Sequence, residues 1–304
     1  MLKKCLFGAA LFFFLAAAGC AAPDTPAAPA APVPDEPLPV QIMRAAYTQI
    51  AEAKSYDLAF TARLRTAAAE SDLTVSGVAN YFLKPLEARL LLDTELKTGE
   101  GATVRAVQEQ YIFAADTGLT VYSLQNGRWL KSTLASPELN RALLMDPADD
   151  IRLFMDNLQE AEITGEELLD ERPTQIITVR VAGEALRELV PEGAETGVFD
   201  ALTARMFEDA GDLQMTCWVD AESGALVKCR VDLTEFMRKL AGAVGAVAAR
   251  EGLNDAEADT LRTALGDISA ELEYTISNIN AAAPFILPAE AGQAEEISAG
   301  EAAP

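Results

Sequence analysis

From Tyr56 to Leu134, one run after another places apolar side chains on alternate residues. Leu58, Phe60, Ala62 and Leu64 alternate with Ala59, Thr61, Arg63 and Arg65. Leu73, Val75, Gly77, Ala79, Tyr81 and Leu83 repeat the pattern up to Pro85, and Leu86, Ala88, Leu90, Leu92 and Leu96 continue it beyond. Thr103 to Ala114 puts Val107, Tyr111 and Phe113 on one face of a further strand. A period of two is the strand period, because successive side chains point to opposite faces of a sheet. Leu119–Leu124 and Arg128–Leu134 flank Gln125-Asn126-Gly127, and Asn-Gly between alternating runs predicts a tight hairpin, since both residues tolerate positive φ. Consecutive hairpin-linked strands imply one curved antiparallel sheet.

Helical spacing interrupts this pattern at a few places. Ile42, Ala45, Ala46, Gln49, Ile50 and Ala53 predict a helix over about Val40–Ser55. Asp146-Pro147-Ala148-Asp149-Asp150 supplies a cap, a first-turn proline and first-turn acids, before an apolar stripe of Ile151, Phe154, Met155 and Leu158. Further helices are expected over 196–208, 236–250 and 256–265, and strands over Thr174–Val181, Leu213–Val219, Leu226–Phe236 and Ile268–Asn278. About 9–11 strands with helices over one face make an α+β domain.

The hairpin around Cys217 and Cys229 can be tested by register. Opposing the two cysteines sets Val219 against Val227, Met215 against Val231 and Leu213 against Leu233, so every apolar residue shares one face. Cysteines directly opposed in this way can form a cross-strand disulfide, and two free buried thiols are the alternative. A metal site is not expected, because two cysteines without a third ligand offer too few donors.

The chain's first twenty residues have a different character. Lys3 and Lys4 precede a short apolar run from Cys5 to Leu15, and Ala16-Ala17-Ala18-Gly19-Cys20 follows. These are the parts of an export signal, and the run is shorter than the ~20 residues that span a bilayer. The ending resembles the lipobox of bacterial lipoproteins, in which the cysteine is acylated and the signal is cut before it. That resemblance implies a signal peptide over 1–19 and a diacylglyceryl anchor on Cys20. Residues 20–39, rich in alanine and proline, read as a tether with a full reach of roughly 50–60 Å. The acidic end, 292–304, reads as a disordered tail.

Composition excludes several functions. With 24 basic and 47 acidic residues the net charge is −23. Cutting off residues 1–19, which hold two lysines and no acid, takes it to −25. Such a surface repels nucleic acid and anionic lipid headgroups, so membrane attachment falls to the lipid. There is no histidine, which removes the commonest general base and any Ser-His-Asp triad. No catalytic residue, cofactor or metal is therefore expected. The pairs Asp149–Asp150 and Glu166–Glu167 read as solvated helix ends rather than as metal ligands.

Three segments together resemble the LolA-like lipoprotein superfamily, including the LppX/LprG group and related lipoproteins of Firmicutes. They are Ala46-Tyr47-Thr48-Gln49-Ile50-Ala51-Glu52-Ala53-Lys54-Ser55-Tyr56, the turn from Cys217-Trp218-Val219-Asp220 through Ser223-Gly224 to Val227-Lys228, and Phe285-Ile286-Leu287-Pro288-Ala289-Glu290-Ala291. The resemblance covers most of residues 40–291. It implies a half-open antiparallel barrel whose concave side is covered by helices, with acyl chains held between, and it brings no catalytic residue.

The candidate cavity lining is Phe60, Leu64, Tyr81, Leu90, Leu92, Tyr111, Phe113, Met215 and Val231, and ordinary core packing is the competing reading for each. The small-residue segment 240–249 reads as a mobile lid or a tightly packed helix. Trp218, on the face opposite the cysteines, is a candidate partner contact. Two functions follow: an extracytoplasmic binder of a lipid or lipidated protein, or an envelope-sensing or regulatory protein that uses the scaffold without cargo.

Overall fold

The computed structural model describes residues 36–67, 70–99, 101–115, 118–125, 127–134, 155–182, 212–236, 238–239, 259, 263 and 267–297. Helix α1 (Leu38–Ala51) comes first. Six strands follow: β1 (Ser55–Thr66), β2 (Ser71–Leu83), β3 (Leu86–Lys97), β4 (Thr103–Ala115), β5 (Gly118–Gln125) and β6 (Arg128–Leu134). Then come β7 (Leu158–Leu169), β8 (Arg172–Val181), β9 (Leu213–Asp220), β10 (Leu226–Asp232) and β11 (Ile268–Ser277). A 3₁₀ turn (Ala289–Gln293) and the two-residue β12 (Glu295–Glu296) end the described chain.

All twelve strands of the described residues lie in one curved, open sheet, ordered β12-β6-β5-β4-β3-β2-β1-β11-β10-β9-β8-β7. Every neighbouring pair is antiparallel except β12 with β6. The two ends of this order do not pair, so the sheet is not a closed barrel. Strand β11 inserts beside β1, which joins the six-strand meander to the β7–β10 set through sequence-distant partners.

Register sorts the two faces. One row crosses the sheet as Leu92, Gly77, Phe60, Tyr274, Cys229, Cys217 and Ile177. This is the core face, and Leu58, Leu64, Leu73, Val75, Met215 and Val231 belong to it. Helix α1 lies on it through Met43, Ala46, Tyr47 and Ile50, touching β7 and β10. Burying such side chains contributes roughly 1.5–3 kcal/mol each. The opposite, outer face carries the row Lys131, Tyr122, Tyr111, Arg89, Asn80 and Asp57.

Several expectations are corrected. Helix α1 starts at Leu38, inside the segment read as tether, and ends at Ala51, because Ser55 already pairs with Phe82. Among the described residues a single long helix covers the core face; the helix expected over 196–208, the segment 240–249 and Asp149 and Asp150 lie outside them, and the helices expected over 236–250 and 256–265 are described only at Phe236, Arg238, Lys239, Asp259 and Thr263. Leu158 heads β7 rather than ending a helix, and Glu166 and Glu167 sit within that strand. Strand β10 stops at Asp232, whose carboxylate accepts the Thr234 N–H (2.9 Å) and turns the chain into a helical stretch. The segment read as a disordered tail contributes β12, which is pinned to the sheet edge.

Candidate functional site

The cysteine register holds at its centre and breaks at its ends. Cys217 opposes Cys229 and Met215 opposes Val231, as expected. A bulge at Val227 then brings Leu226, not Val227, against Val219. Leu233 does not meet Leu213, and its N–H instead bonds the Ala270 carbonyl (2.8 Å). The two sulfurs lie 3.1 Å apart as buried free thiols. Tyr47 of α1 closes over them. Burial, reinforced by the adjacent sulfurs, pushes the Tyr47 hydroxyl well above its ordinary value. The hydrogen bond with Cys229, together with burial, raises the Cys217 thiol. Both groups stay neutral at ordinary pH, and an unionised thiol is a poor nucleophile.

The candidate lining residues divide between the two faces. Phe60, Leu64, Tyr81, Leu90, Met215 and Val231 are buried together on the core face, with Leu92 half-buried beside them. Tyr111 and Phe113 lie on the outer face and belong to a separate aromatic cluster. Period two shows that Tyr111 and Phe113 share a side of β4, but the phase of β4 against β3 decides which side. Here Leu90 opposes Gln110, so Tyr111 faces the other way, beside Arg89.

That outer cluster has a cover. The chain leaves β11 through a turn with Asn278 and Asn280 at positive φ. Asn280 accepts the Lys54 N–H through its side chain (2.7 Å) and donates its own N–H to the Ser55 carbonyl (2.7 Å). The following segment brings Phe285 within 5.8 Å of the Phe82 and Tyr111 rings and 6.2 Å of Phe113, centroid to centroid. Tyr111 in turn meets Trp129 at 5.9 Å, and its hydroxyl donates to Glu109, which also takes Arg89 (2.9 Å).

Trp218 is on the outer face, as expected, yet it is only 6% exposed. Lys228 and Arg230 sit over its ring at 5.0 and 5.7 Å, and its indole N–H donates to Glu167 (2.8 Å). The tryptophan is thus a buried element of the outer face rather than an open contact. The cation–ring spacing on β10 was present in the sequence, but the Glu167 partner required knowing that β7 is a strand.

A shallow open trough of about 360 Å³ crosses the outer face between β11 and β3. Small residues (Ala59, Thr61, Ser76, Gly77) floor it, Val78 and Leu91 form apolar walls, and Asp93 and Glu273 border it. Both acids are engaged, Asp93 with Arg105 (2.5 Å) and Glu273 with Lys228 (3.0 Å). No cluster of three or more His, Cys, Asp or Glu residues suited to a metal occurs among the described residues. No helix among them is long and apolar enough to cross a membrane.

No protein-family model and no curated protein matches the chain. Solved structures do. LprF from Mycobacterium bovis is 15% identical, covering 84% of this chain and 99% of that one, with a TM-score of 0.48. The Mycobacterium tuberculosis lipoprotein LppX is 12% identical, covering 84% and 100%, at 0.45. A DUF1329 family protein from Desulfovibrio piger is 9% identical, covering 79% and 90%, at 0.23.

Proposed function

We propose that this chain is a lipid-anchored protein of the bacterial cell envelope, held by a diacylglyceryl group on Cys20, whose domain binds an apolar ligand on its core face. The ligand class is a lipid or a lipidated protein. The domain stands on the extracytoplasmic side, at the outer face of the plasma membrane or in a periplasm. No residue is assigned a catalytic role, on the absence of histidine from the sequence.

Among the described residues, the observation that supports binding is the mismatch between the apolar face and helix α1. Eleven strands at about 4.8 Å spacing make a face roughly 50 Å wide. Helix α1 has 14 residues, about 21 Å of length, and touches β7 and β10. Leu92, Leu96 and Leu272 are only half-buried on the remainder of that face. An apolar ligand seated there removes them from water, at about 25 cal/mol per Å². Native mass spectrometry of residues 36–304, delipidated and then re-exposed to a membrane lipid extract, tests this. Bound lipid at defined stoichiometry is expected, and none after re-exposure would sink the reading.

A second reading is favoured by the packing itself. Six of the nine candidate lining residues are closed into the core cluster, which fits a scaffold that works through its surface instead of through cargo. The same measurement separates the two readings.

A further inference from the structure

The two edges of the open sheet differ in charge. Edge strand β7 carries Glu160, Glu162, Glu166 and Glu167 and no basic residue, and it is interrupted by two register shifts. Glutamates and bulges of this kind blunt an edge against further pairing. Strand β6, at the other end, reads Arg-Trp-Leu-Lys-Ser-Thr-Leu, with Arg128 and Lys131 and no acid. In a chain of net charge −23 this is an unusual edge, and it is occupied. Glu295 and Glu296 pair in parallel with Leu130 and Lys131, and the Ile297 N–H bonds the Lys131 carbonyl (2.9 Å).

The occupant is held unevenly. Phe285 sits among three aromatic rings, and Ala291 of the 3₁₀ turn is buried. Past Ala294 the ladder is two residues long. Its ion pairs, Arg128–Glu295 at 3.7 Å and Lys131–Glu296 at 3.9 Å, are long, and both glutamates are mostly exposed. Exposed ion pairs of this sort add little. The contacts that hold Phe285 and Ala291 are thus separate from the few that hold Glu295–Ile297.

We propose that the β6 edge is a docking strand for an acidic, extended segment of another polypeptide, and that Glu295–Ile297 is its resident intramolecular cap. The backbone of β6 supplies the pairing, as in strand addition to other sheet edges. Arg128 and Lys131 select acidic segments over basic ones, and like charges set the opposite preference at β7. The incoming strand competes with a cap that is always at hand, so the free edge is rarely populated. This inference does not depend on the core face binding a lipid.

The test uses the full chain in detergent and a dye-labelled peptide with the sequence of residues 289–300. The variant Glu295→Lys with Glu296→Lys releases the cap by repulsion from Arg128 and Lys131. It is expected to bind the peptide about tenfold more tightly than the unaltered chain, a difference of about 1.4 kcal/mol. Binding should weaken as salt is raised. Adding Arg128→Glu and Lys131→Glu should abolish it. Hydrogen exchange must show the Ile297 amide released with the β1–β5 amides still protected. A protected Ile297 amide, equal binding by both chains, or equal binding of a scrambled peptide would each overturn the proposal. Self-association of the variant supports it if the peptide reverses that association, with another copy's acidic strand as the occupant, and counts against it otherwise.

Discussion

The Phe60 ring lies over Gly77. A Cβ on residue 77 would stand 2.7 Å from two carbons of that ring and 3.0 Å from the Leu91 carbonyl. The two residues are direct cross-strand partners of β1 and β2 on the core face, so the missing side chain on one strand makes room for the large one on its neighbour. Gly77 is needed for close approach rather than for an unusual φ.

Gly77→Ala is therefore expected to destabilise the domain by about 1–3 kcal/mol, the cost of overpacking a filled core. Urea unfolding reads this directly. Combining it with Phe60→Leu should recover part of the loss, because the two changes share one space and are not additive.

We propose that the dithiol under Tyr47 is oxidised when the chain folds in an exporting compartment. Refolding with oxidised glutathione should lower the mass by two hydrogens and raise stability by roughly 3 kcal/mol, given the short loop. The reduced native chain should react with a maleimide only as fast as it opens, since both sulfurs are buried. Labelling at the rate of a free thiol would contradict this arrangement.

Asp220 makes one corner of the β9–β10 turn pH-sensitive. Its carboxylate accepts the Ser223 and Glu222 backbone N–H groups (2.7 and 3.0 Å) and the Ser223 hydroxyl (2.9 Å). The Ser223 N–H is the main cause holding its acidity below the ordinary carboxylate value, against partial burial. A depressed folded-state value means the stabilisation is present above the ordinary carboxylate range and fades as pH falls through the folded value. Asp220→Ala should cost about 1–3 kcal/mol at neutral pH, and this difference should shrink in acid, as urea unfolding at a series of pH values will show.

Trp218→Phe keeps an aromatic ring beneath Lys228 and Arg230 but removes the donor to Glu167. A loss of about 1–3 kcal/mol is expected, from one hydrogen bond to a charged acceptor. Glu167→Gln keeps an acceptor in place and should cost less. In a Glu167→Ala background, where the acceptor is gone, Trp218→Phe should cost much less than it does alone, and an undiminished cost would show that the hydrogen bond does not carry the effect.

Phe285→Ala should loosen the whole crossing segment. Loss of a large aromatic side chain with three ring neighbours is expected to cost about 3 kcal/mol or more. Hydrogen exchange should then accelerate from Phe285 to Ile297 while β8 and β9 stay protected. Uniform acceleration across the sheet would mean that the segment unfolds only with the domain.

The alternation from Tyr56 to Leu134 was enough to read β1 to β6, because each of those strands has one wet and one dry side. Strand β7 was not legible in the same way. Its four glutamates and two register shifts erase the alternation, since an edge strand has no second neighbour to keep it regular. In a chain with this many acids, Glu166 and Glu167 read from the sequence as solvated helix ends. The cysteine pair was legible because opposing Cys217 and Cys229 also matched Met215 with Val231. The bulge at Val227 was not, because the apolar Leu226 and Val227 offer either residue to Val219.

What the sequence determined by itself was the period, the hairpin connections and the residues that share a side of each strand, all of which are local consequences of alternate side-chain direction. Tertiary structure alone decided which side of each strand meets the core, because that phase is set between strands by turns and long-range pairing. It put Tyr111 and Phe113 under Phe285 instead of beside Phe60, and Trp218 against Glu167. It also brought β11 next to β1, and Glu295 to the edge at Leu130, over separations that no local pattern can encode.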